Sequence, residues 1–487
     1  MVTYPDLRSS FLGFQDRWTP RLRSQGRPCC DLRSLIGVRS QTEVFGLFGT
    51  SVACRCLRIM LDPGARMIES DLYSQKDKDV LQRLAEGIAL AAEDPVNDER
   101  VRLWRNLNDL SSERPMVWIT EVPWHEFRNE EELKLQCDQA WARELESGFR
   151  RTLYQWRHFP VDMIVSRYLS CPIVYHSTGY GLYQEADIVT TDPKSDIVSR
   201  EYQPQILEPE DIEKIQMARV TRDDATTEAH FQAMTELFSS IIPVRKTGIK
   251  HIWYTPWDYL VTVWGVEQAL TDLVLRPDMV HAAVDRVVAS CMCELDQFVE
   301  LGLLDNGNDN TRIGSGGYGY SSELPPMSFE AKKVNTEDVW GCSNAQIFSA
   351  VSPEMLWEFA IEHDLPYLKR WGLTYYGCCE PLDRKVDVLR RIPNLRKISM
   401  SPFADMGRGA QSVGTDYALS HKPSPALLAV ESWSVDHARA ALRDALEASR
   451  GCHVEVILKD ISTVRYEPRR IWEWGEMATE LVREFAT

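Results

Sequence analysis

The sequence predicts an α/β protein that forms a single (β/α)8 barrel, with an N-terminal helical extension and an insertion on the barrel rim. Short apolar runs alternate with amphipathic segments, a pattern that is typical of βαβ units and a parallel sheet. The later units repeat every roughly 20–40 residues, which favours a closed barrel over an open sheet. No Gly-x-Gly-x-x-Gly motif follows the first strand, as an open nucleotide-binding sheet would require.

Composition narrows the classes of partner. The chain has 487 residues and a formal charge of −17, which argues against binding to nucleic acid or to anionic membranes. No apolar run is long enough for a spanning helix. Twelve Cys in a chain of this length do not make a disulfide scaffold, so we expect a cytoplasmic, reducing setting. Because the charge disfavours nucleic acid and membranes, we expect a small-molecule substrate.

The N-terminal region differs in composition from the rest of the chain. Residues 1–66 contain ten Arg, five acidic residues and no Lys, and they show no sustained helical or strand period. We expect a disordered tail there, or a true start at Met67. Residues 67–112 are predicted to form the helical extension, because apolar residues repeat at helical steps within it. These are Val80, Leu81, Leu84, Ile88 and Ala91.

The barrel is expected over residues 113–487, with a polar and acidic insertion at about 176–250. Its predicted strands are Met116–Thr120, Asp162–Tyr168, Ile249–Tyr254, Gly372–Gly377, Leu395–Ser399, Tyr417–Ser420 and Val454–Leu458. The predicted helices between the later strands are Pro353–Trp371, bent or broken at Pro366, Pro381–Arg391 and Val435–Arg450. A Gly-rich segment begins at Arg312 and runs into two prolines, so we expect a loop near the barrel mouth, either a plain connection or a lid.

The active site of such a barrel lies at the carboxyl ends of the strands. The catalytic candidates are therefore three charged residues that follow predicted strands within two positions: Glu121, Lys422 and Asp460. The substrate-binding candidates at the same ends are Trp124, His125, Trp253, Trp257, Trp340, Gln346 and Tyr376. The tryptophans would wall an apolar pocket, although packing under the loops explains them nearly as well.

Two thiols and a carboxylate end one predicted strand, in Tyr376-Gly-Cys-Cys-Glu380. Cys378, Cys379 and Glu380 are candidate zinc ligands, with a further ligand from another strand. Neighbouring strand residues point to opposite faces, so a vicinal pair is not a chelating Cys-x-x-Cys motif. Core packing of one thiol and a redox-active pair are the alternatives.

These strand ends resemble the uroporphyrinogen decarboxylase superfamily, which includes porphyrinogen decarboxylases and corrinoid-dependent methyltransferases. The resemblance covers roughly residues 75–487. It depends on six short segments: Glu113-Arg-Pro-Met-Val-Trp, Val351-Ser-Pro-Glu-Met, Tyr375-Tyr-Gly-Cys-Cys-Glu, Leu395-Arg-Lys-Ile-Ser, and the Lys422-Pro and Lys459-Asp strand ends. It implies a single (β/α)8 barrel.

Departures from the family pattern bear on function. The Arg-rich segment by which the decarboxylases hold a polycarboxylate is replaced here by an acidic and aromatic stretch, Ile119-Thr-Glu-Val-Pro-Trp. The methyltransferases that act on thiols carry His-x-Cys and a later Cys as zinc ligands. Here Tyr376-Gly-Cys378 and Lys459-Asp460 stand at those places, and His421 or Glu380 would have to substitute.

The resemblance implies an enzyme that moves a methyl group between a small methylated substrate and a corrinoid on a separate partner protein. In that interpretation Glu121 or Asp460 is the acid, and Lys422 holds an anionic part of the substrate. The alternatives are a decarboxylase of a small organic acid, with Lys422 or Lys459 at the leaving carboxylate, and a non-catalytic ligand-binding barrel.

Overall fold

The computed structural model describes residues 72–189, 199–326 and 333–486, which belong to one compact unit, Gln41–Thr487. The strands in these ranges are β1 Met116–Ile119, β2 Leu169–Pro172, β3 Val174–Ser177, β4 Ala186–Val189, β5 Ser199–Tyr202, β6 Val220–Asp223, β7 Val244–Thr247, β8 Trp340–Ser343, β9 Leu373–Tyr376, β10 Leu395–Met400, β11 Ala418–His421 and β12 His453–Leu458.

The α-helices in the same ranges are α1 Gln75–Glu93, α2 Val96–Asn108, α3 Ala140–His158, α4 Asp224–Phe238, α5 Pro256–Trp264, α6 Val266–Leu275, α7 Pro277–Glu300, α8 Pro353–Leu356, α9 Glu362–Leu368, α10 Val386–Leu389, α11 Met406–Val413, α12 Ala426–Ala429, α13 Val435–Ala448 and α14 Arg469–Arg483. In this part of the chain, none of the helices is long and apolar enough to cross a bilayer.

A six-stranded parallel sheet forms the centre, in the order β1, β12, β11, β10, β9, β8. Each neighbouring pair is parallel, which confirms the α/β class and the parallel sheet that the alternating pattern predicts. Three two-stranded pairs lie outside it: β2 with β7, β3 with β6, and β4 with β5. Most of these short strands, together with α4, fall in the predicted insertion at 176–250.

The amphipathic pattern before Pro95 is confirmed as α1. A capping box fixes its start, because Ser74 accepts from the backbone N–H of Asp77 while the Asp77 carboxylate accepts from that of Ser74. The apolar face predicted for this helix is largely buried, with Leu81 fully so. Residues 1–66, for which a disordered tail is expected, lie outside the described residues.

Two predicted strands are wrong. Over Asp162–Tyr168, remote side chains take the backbone groups that a ladder would use: Asn97 Oδ1 accepts from the N–H of Val165 at 3.0 Å, and Tyr318 Oη accepts from the N–H of Ile164 at 3.4 Å. The Ile249–Tyr254 segment forms a single isolated bridge, between Ile249 and Leu304. An apolar run marks burial in both places, but it does not show which groups receive the backbone hydrogen bonds.

The predicted helix over Pro353–Trp371 is also only partly right. It is divided into α8 and α9 by a π-helical turn, Trp357–Ile361, whereas Pro366 lies inside α9. The irregularity therefore falls before the proline, at a wide turn of the kind that interrupts helices without ending them. The Pro381–Arg391 prediction shrinks to the short α10, while Val435–Arg450 is confirmed as α13.

The Gly-rich segment forms a loop, as the sequence predicts, but the loop is buried. Residues 313–319 are buried. They pack against the face of the sheet that carries Trp340, Cys342 and Tyr375, which we call the inner side. A Cβ on Gly317 would lie 2.3 Å from the Trp104 ring, and one on Gly314 would lie 2.4 Å from the Tyr375 ring. Glycine is needed here because only a bare backbone fits between these aromatic rings.

Charged and polar side chains fill the space beneath that segment. Lys397 on β10 and Glu455 on β12 form an ion pair of 2.8 Å, and both are fully buried. Ser420 Oγ and the backbone N–H of Gly317 also donate to the Glu455 carboxylate, at 2.5 and 3.1 Å. The carboxylate is therefore well satisfied, as a buried charge must be.

Removing one partner of this pair should be strongly destabilising. Lys397→Met leaves the Glu455 charge buried without its cation, and we expect it to lower the free energy of unfolding by about 3–5 kcal/mol in urea titrations. The double variant Lys397→Met, Glu455→Gln should recover more than half of that loss. Arg439→Met removes an exposed pair with Glu480 and serves as the control, with an expected loss of about 0–1 kcal/mol. Equal losses for Lys397→Met and Arg439→Met would contradict this account.

Candidate active site

The turns after β1 and β12 bring two of the candidate carboxylates together. Glu121 and Asp460 both have left-handed backbones, with φ of 55° and 56°. The backbone N–H of Asp460 donates to Glu121 Oε2 at 3.0 Å. A positive φ is uncommon in residues other than glycine and costs about 1–3 kcal/mol, and such residues cluster at functional sites. Two of them at adjacent strand ends mark this edge of the sheet as the candidate site.

Lys459 is the centre of the cluster. Its ammonium lies 2.6 Å from Asp460 Oδ2 and 3.9 Å from Glu121 Oε2. It also lies 3.5 Å from Cys378 Sγ and 3.8 Å from Cys379 Sγ. Burial alone would lower the pKa of Lys459, but the surrounding carboxylates and thiols raise it, so the ammonium stays charged.

Glu121 has two cationic neighbours. Arg312 Nη1 lies 2.7 Å from Glu121 Oε1, and both side chains are largely buried. Burial would raise the pKa of Glu121, but Arg312 and Lys459 outweigh it and hold that pKa at about 2. Glu121 is therefore a carboxylate at neutral pH and a positioning group for the two cations, and of the two predicted acids Asp460 is the better proton donor. Burial, reinforced by the Glu121 charge, raises the pKa of Asp460.

The two thiols differ in their surroundings. Their sulfur atoms are 3.6 Å apart, and Cys379 Sγ also lies 3.6 Å from Asp460 Oδ2. The contact with Cys378 lowers the pKa of Cys379, and the Lys459 ammonium acts in the same direction against burial. That contact together with burial raises the pKa of Cys378. Cys379 is thus the thiol that forms a thiolate more readily.

Lys422 lies in the same region on the end of β11. Its ammonium donates to Tyr375 Oη at 2.6 Å, and to the carbonyl and hydroxyl oxygens of Ser420 at 2.9 and 2.5 Å. Burial lowers the pKa of Lys422 to about 7, and the Lys459 charge adds to that effect. Because the groups to which its ammonium donates are neutral oxygens, Lys422 is the buried cation of the site best placed to hold a substrate anion.

The other predicted site residues lie in several places. Trp257 donates from Nε1 to the carbonyl of Phe359, and Trp340 donates to that of Gly319, so both are held inside the packed structure. Trp124 packs edge-on against Phe127, within the short 3-10 helix that also contains the buried His125. None of these contacts joins the Lys459 cluster.

Three more predicted residues have defined neighbours. Gln346 Nε2 donates to Asp258 Oδ2 at 3.0 Å, and burial raises the pKa of Asp258 to about 7. Tyr376 packs in the large core cluster, whereas its neighbour Tyr375 belongs to the inner cluster that Trp253 borders. Glu380 is fully buried and accepts from the backbone N–H groups of Ala345 and Cys378.

Two of the three predicted zinc ligands lie together, because the Cys378 and Cys379 sulfur atoms are 3.6 Å apart. Glu380 is directed to two backbone N–H groups, and the Lys459 ammonium lies against both thiols, where a cation bound by them would have to lie. Over the ranges that the structure describes, no group of three or more His, Cys, Asp or Glu has an arrangement that could hold a metal ion. The residues present therefore fit an ammonium better than the zinc ion that the sequence predicts.

Arg312 is the member of the cluster that sequence reasoning missed. It begins the Gly-rich segment and lies far along the chain from its partner Glu121. A lone arginine before a run of glycines indicates the edge of a loop, and the one signal for burial is that the residues after it are small. Lys459 was predicted only as an alternative carboxylate binder.

Comparison with known proteins gives little. No family model matches the sequence, and no curated protein matches it either. Among solved structures, the fold is similar to a methyltransferase from Methanosarcina mazei, with a TM-score of 0.46 and 12% sequence identity. That match covers 80% of this chain and 99% of the other.

The influence of Lys459 on the thiols can be measured directly. Lys459→Met removes the ammonium, so we expect iodoacetamide to alkylate Cys379 about tenfold more slowly at pH 7, the effect of one pKa unit. Mass spectrometry of the peptide gives the rate for each thiol. Lys250→Met removes a part-buried ammonium that pairs with Asp309 instead, and it should leave the rate unchanged. Equal rates in native protein and Lys459→Met would refute the proposed contact.

Proposed function

We propose that the chain is a methyltransferase-like enzyme on a (β/α)8 barrel of the uroporphyrinogen decarboxylase type. It would move a methyl group between a small methylated substrate and a corrinoid carried by a partner protein. The observation that carries this proposal is the cluster of Lys459, Asp460, Cys378, Cys379 and Glu121 at the carboxyl ends of parallel strands.

Closure of the barrel needs two further stretches between β1 and β8. The N–H of Asp162 donates to the carbonyl of Val117 on β1 at 2.9 Å, and His251 Nδ1 lies 3.3 Å from the carbonyl of Trp340 on β8. These contacts support the two irregular segments, 162–168 and 249–254, at the second and third strand positions of the barrel. The six strands of the central sheet would then occupy the other six positions.

Methyl transfer requires that the bond between the methyl carbon and its leaving atom break, with the electron pair staying on the leaving atom. The corrinoid would supply the nucleophile that accepts the methyl group. The chain must supply a proton to the leaving atom, and the raised pKa of Asp460, caused mainly by its burial, suits it to that role. The protonated Lys422 would hold an anionic part of the substrate.

Glu121 has a different role in this scheme. Its pKa of about 2 keeps it ionised, so it cannot deliver a proton at neutral pH. It holds Arg312 and Lys459 in place, and through its contact with the N–H of Asp460 it also holds the turn that carries the acid. A precise support of this kind is what positions a catalytic group.

A decarboxylase of a small organic acid is the second candidate. It is favoured by one observation: the buried Lys422 ammonium donates its hydrogen bonds to neutral oxygens, a setting that suits a substrate carboxylate. In that reaction the bond to the carboxyl carbon breaks, carbon dioxide leaves, and the carbon left behind takes a proton. No corrinoid is needed, which separates the two candidates. A barrel that binds its ligand without turnover is the non-catalytic alternative.

Methylation of cob(I)alamin tests the proposal. The purified protein is incubated with cob(I)alamin and a panel of methanol, methylamines, N-methylated amides, methylated thiols and methoxylated aromatics, and the absorbance change is followed. We expect one donor class to be active, and Asp460→Asn to reduce its rate about 10²–10⁴-fold, the range for loss of a general acid. Asp416→Asn removes an exposed carboxylate that pairs with Arg390 and serves as the control.

The methyl-transfer proposal fails if no donor methylates cob(I)alamin. Release of carbon dioxide from candidate acids, with no corrinoid present, would then establish the decarboxylase. If neither reaction occurs and a ligand still binds, the non-catalytic alternative stands.

The pH dependence of kcat/KM should reflect the protonation of Lys422. Its pKa is lowered to about 7 by burial, and only the protonated form, present below that pH, attracts an anion. We therefore expect kcat/KM to fall as the pH rises through about 7. Lys422→Met should lower kcat/KM and make this fall smaller. The neighbouring His421 cannot produce it, because burial lowers the pKa of His421 to about 4. A native profile of kcat/KM that is flat from about one pH unit below that pKa to about one unit above it would contradict this role.

A further inference from the structure

Asn344 directly follows β8 at the carboxyl end of the central sheet, and only 1% of its surface is exposed. Alternation along the strand shows which way it faces. Trp340 and Cys342 pack in the inner cluster, whereas Ser343 donates to Asp364 on α9, on the outer side. Asn344 continues the inner series, on the side of the sheet where the Gly-rich segment lies.

The side chain of Asn344 lacks a hydrogen-bond partner in the described part of the chain. Neither Nδ2 nor Oδ1 makes a hydrogen bond with any residue that the structure describes, and both atoms are buried. A carboxamide offers two N–H donors and an oxygen with two lone pairs, so its whole capacity is unused. Because unsatisfied buried polar groups destabilise the folded state, an asparagine of this kind needs a reason beyond folding.

The backbone on both sides of Asn344 is bonded to the segment that carries the thiols. The N–H of Gly377 donates to the carbonyl of Ser343 at 2.8 Å. The N–H of Ala345 donates to Glu380 Oε1 at 3.1 Å. The unpartnered amide is thus fixed beside residues 377–380, and a ligand bound to it would lie next to the candidate site.

We infer that Asn344 is a specificity-determining residue that binds the amide group of a small carboxamide or lactam. An amide edge matches it with two hydrogen bonds, one from Nδ2–H to the ligand oxygen and one from the ligand N–H to Oδ1. A carboxylate would leave Oδ1 without a donor, and an alcohol or amine presents only a single group. This inference rests on the proposed function for the identity of the substrate site, and it adds the class of substrate.

Stability measurements test the first half of this inference without any assay. Asn97 is the matched control, a similarly buried asparagine whose Nδ2 donates to the carbonyls of Ala91 and Asp94 and whose Oδ1 accepts from Val165. Asn97→Leu should lower Tm by several degrees, because it leaves these buried backbone groups without hydrogen-bond partners. Asn344→Leu breaks no hydrogen bond of the described residues, so its Tm should be equal to or above that of the native protein. A loss of Tm in Asn344→Leu as large as that in Asn97→Leu would overturn the inference.

Ligand-induced stabilisation tests the second half. Acetamide, propionamide and 2-pyrrolidone are the probes, with acetate and acetone as controls that lack the paired donor and acceptor. We expect an amide, and neither control, to raise the Tm of the native protein and to leave that of Asn344→Leu unchanged. If no amide raises the native Tm, or if Asn344→Leu is stabilised equally, the inference fails. Since neither readout involves methyl transfer, that failure is distinct from a failure of the cob(I)alamin assay.

Discussion

The buried ammonium of Lys459 is the constraint on which the rest of the site depends. A charge removed from water costs several kcal/mol unless anionic and polar groups surround it. Here those groups come from three strand ends that are far apart in the chain: Glu121 after β1, Cys378 and Cys379 after β9, and Asp460 beside the lysine itself. The same contacts that stabilise the cation therefore assemble a site with an acid, a thiol and a fixed positive charge.

A second polar layer beneath the site supports it. Lys397, Glu455, Ser420, Lys422 and Tyr375 form one continuous chain of hydrogen bonds through the inner side of the sheet. Such a network is stable only when every member is satisfied, and it makes the positions of the groups depend on one another. The inner side of the sheet is thus polar under the candidate site. Lys422 lies where this series of hydrogen bonds reaches the candidate site.

The sequence predicts the sheet well where an apolar strand is followed by a charged residue. The runs that end before Lys422 and Lys459 are confirmed as β11 and β12, because a buried strand followed by a charged turn is a local pattern. The partners of those charges are not local. Arg312 could not be placed from its glycine-rich surroundings, since the burial of that segment depends on Trp104 and Tyr375, which are remote in the chain. The unpartnered state of Asn344 is likewise visible only in three dimensions.

The most direct test of the central claim, that an ammonium and not a metal ion holds the thiols, is the metal content of the purified protein. Elemental analysis of the native chain and of Cys378→Ser and Cys379→Ser should find no stoichiometric zinc, and no change among the three, because Lys459 occupies the position between the sulfur atoms and the carboxylates. One zinc ion per native chain that is lost in either variant would contradict the account.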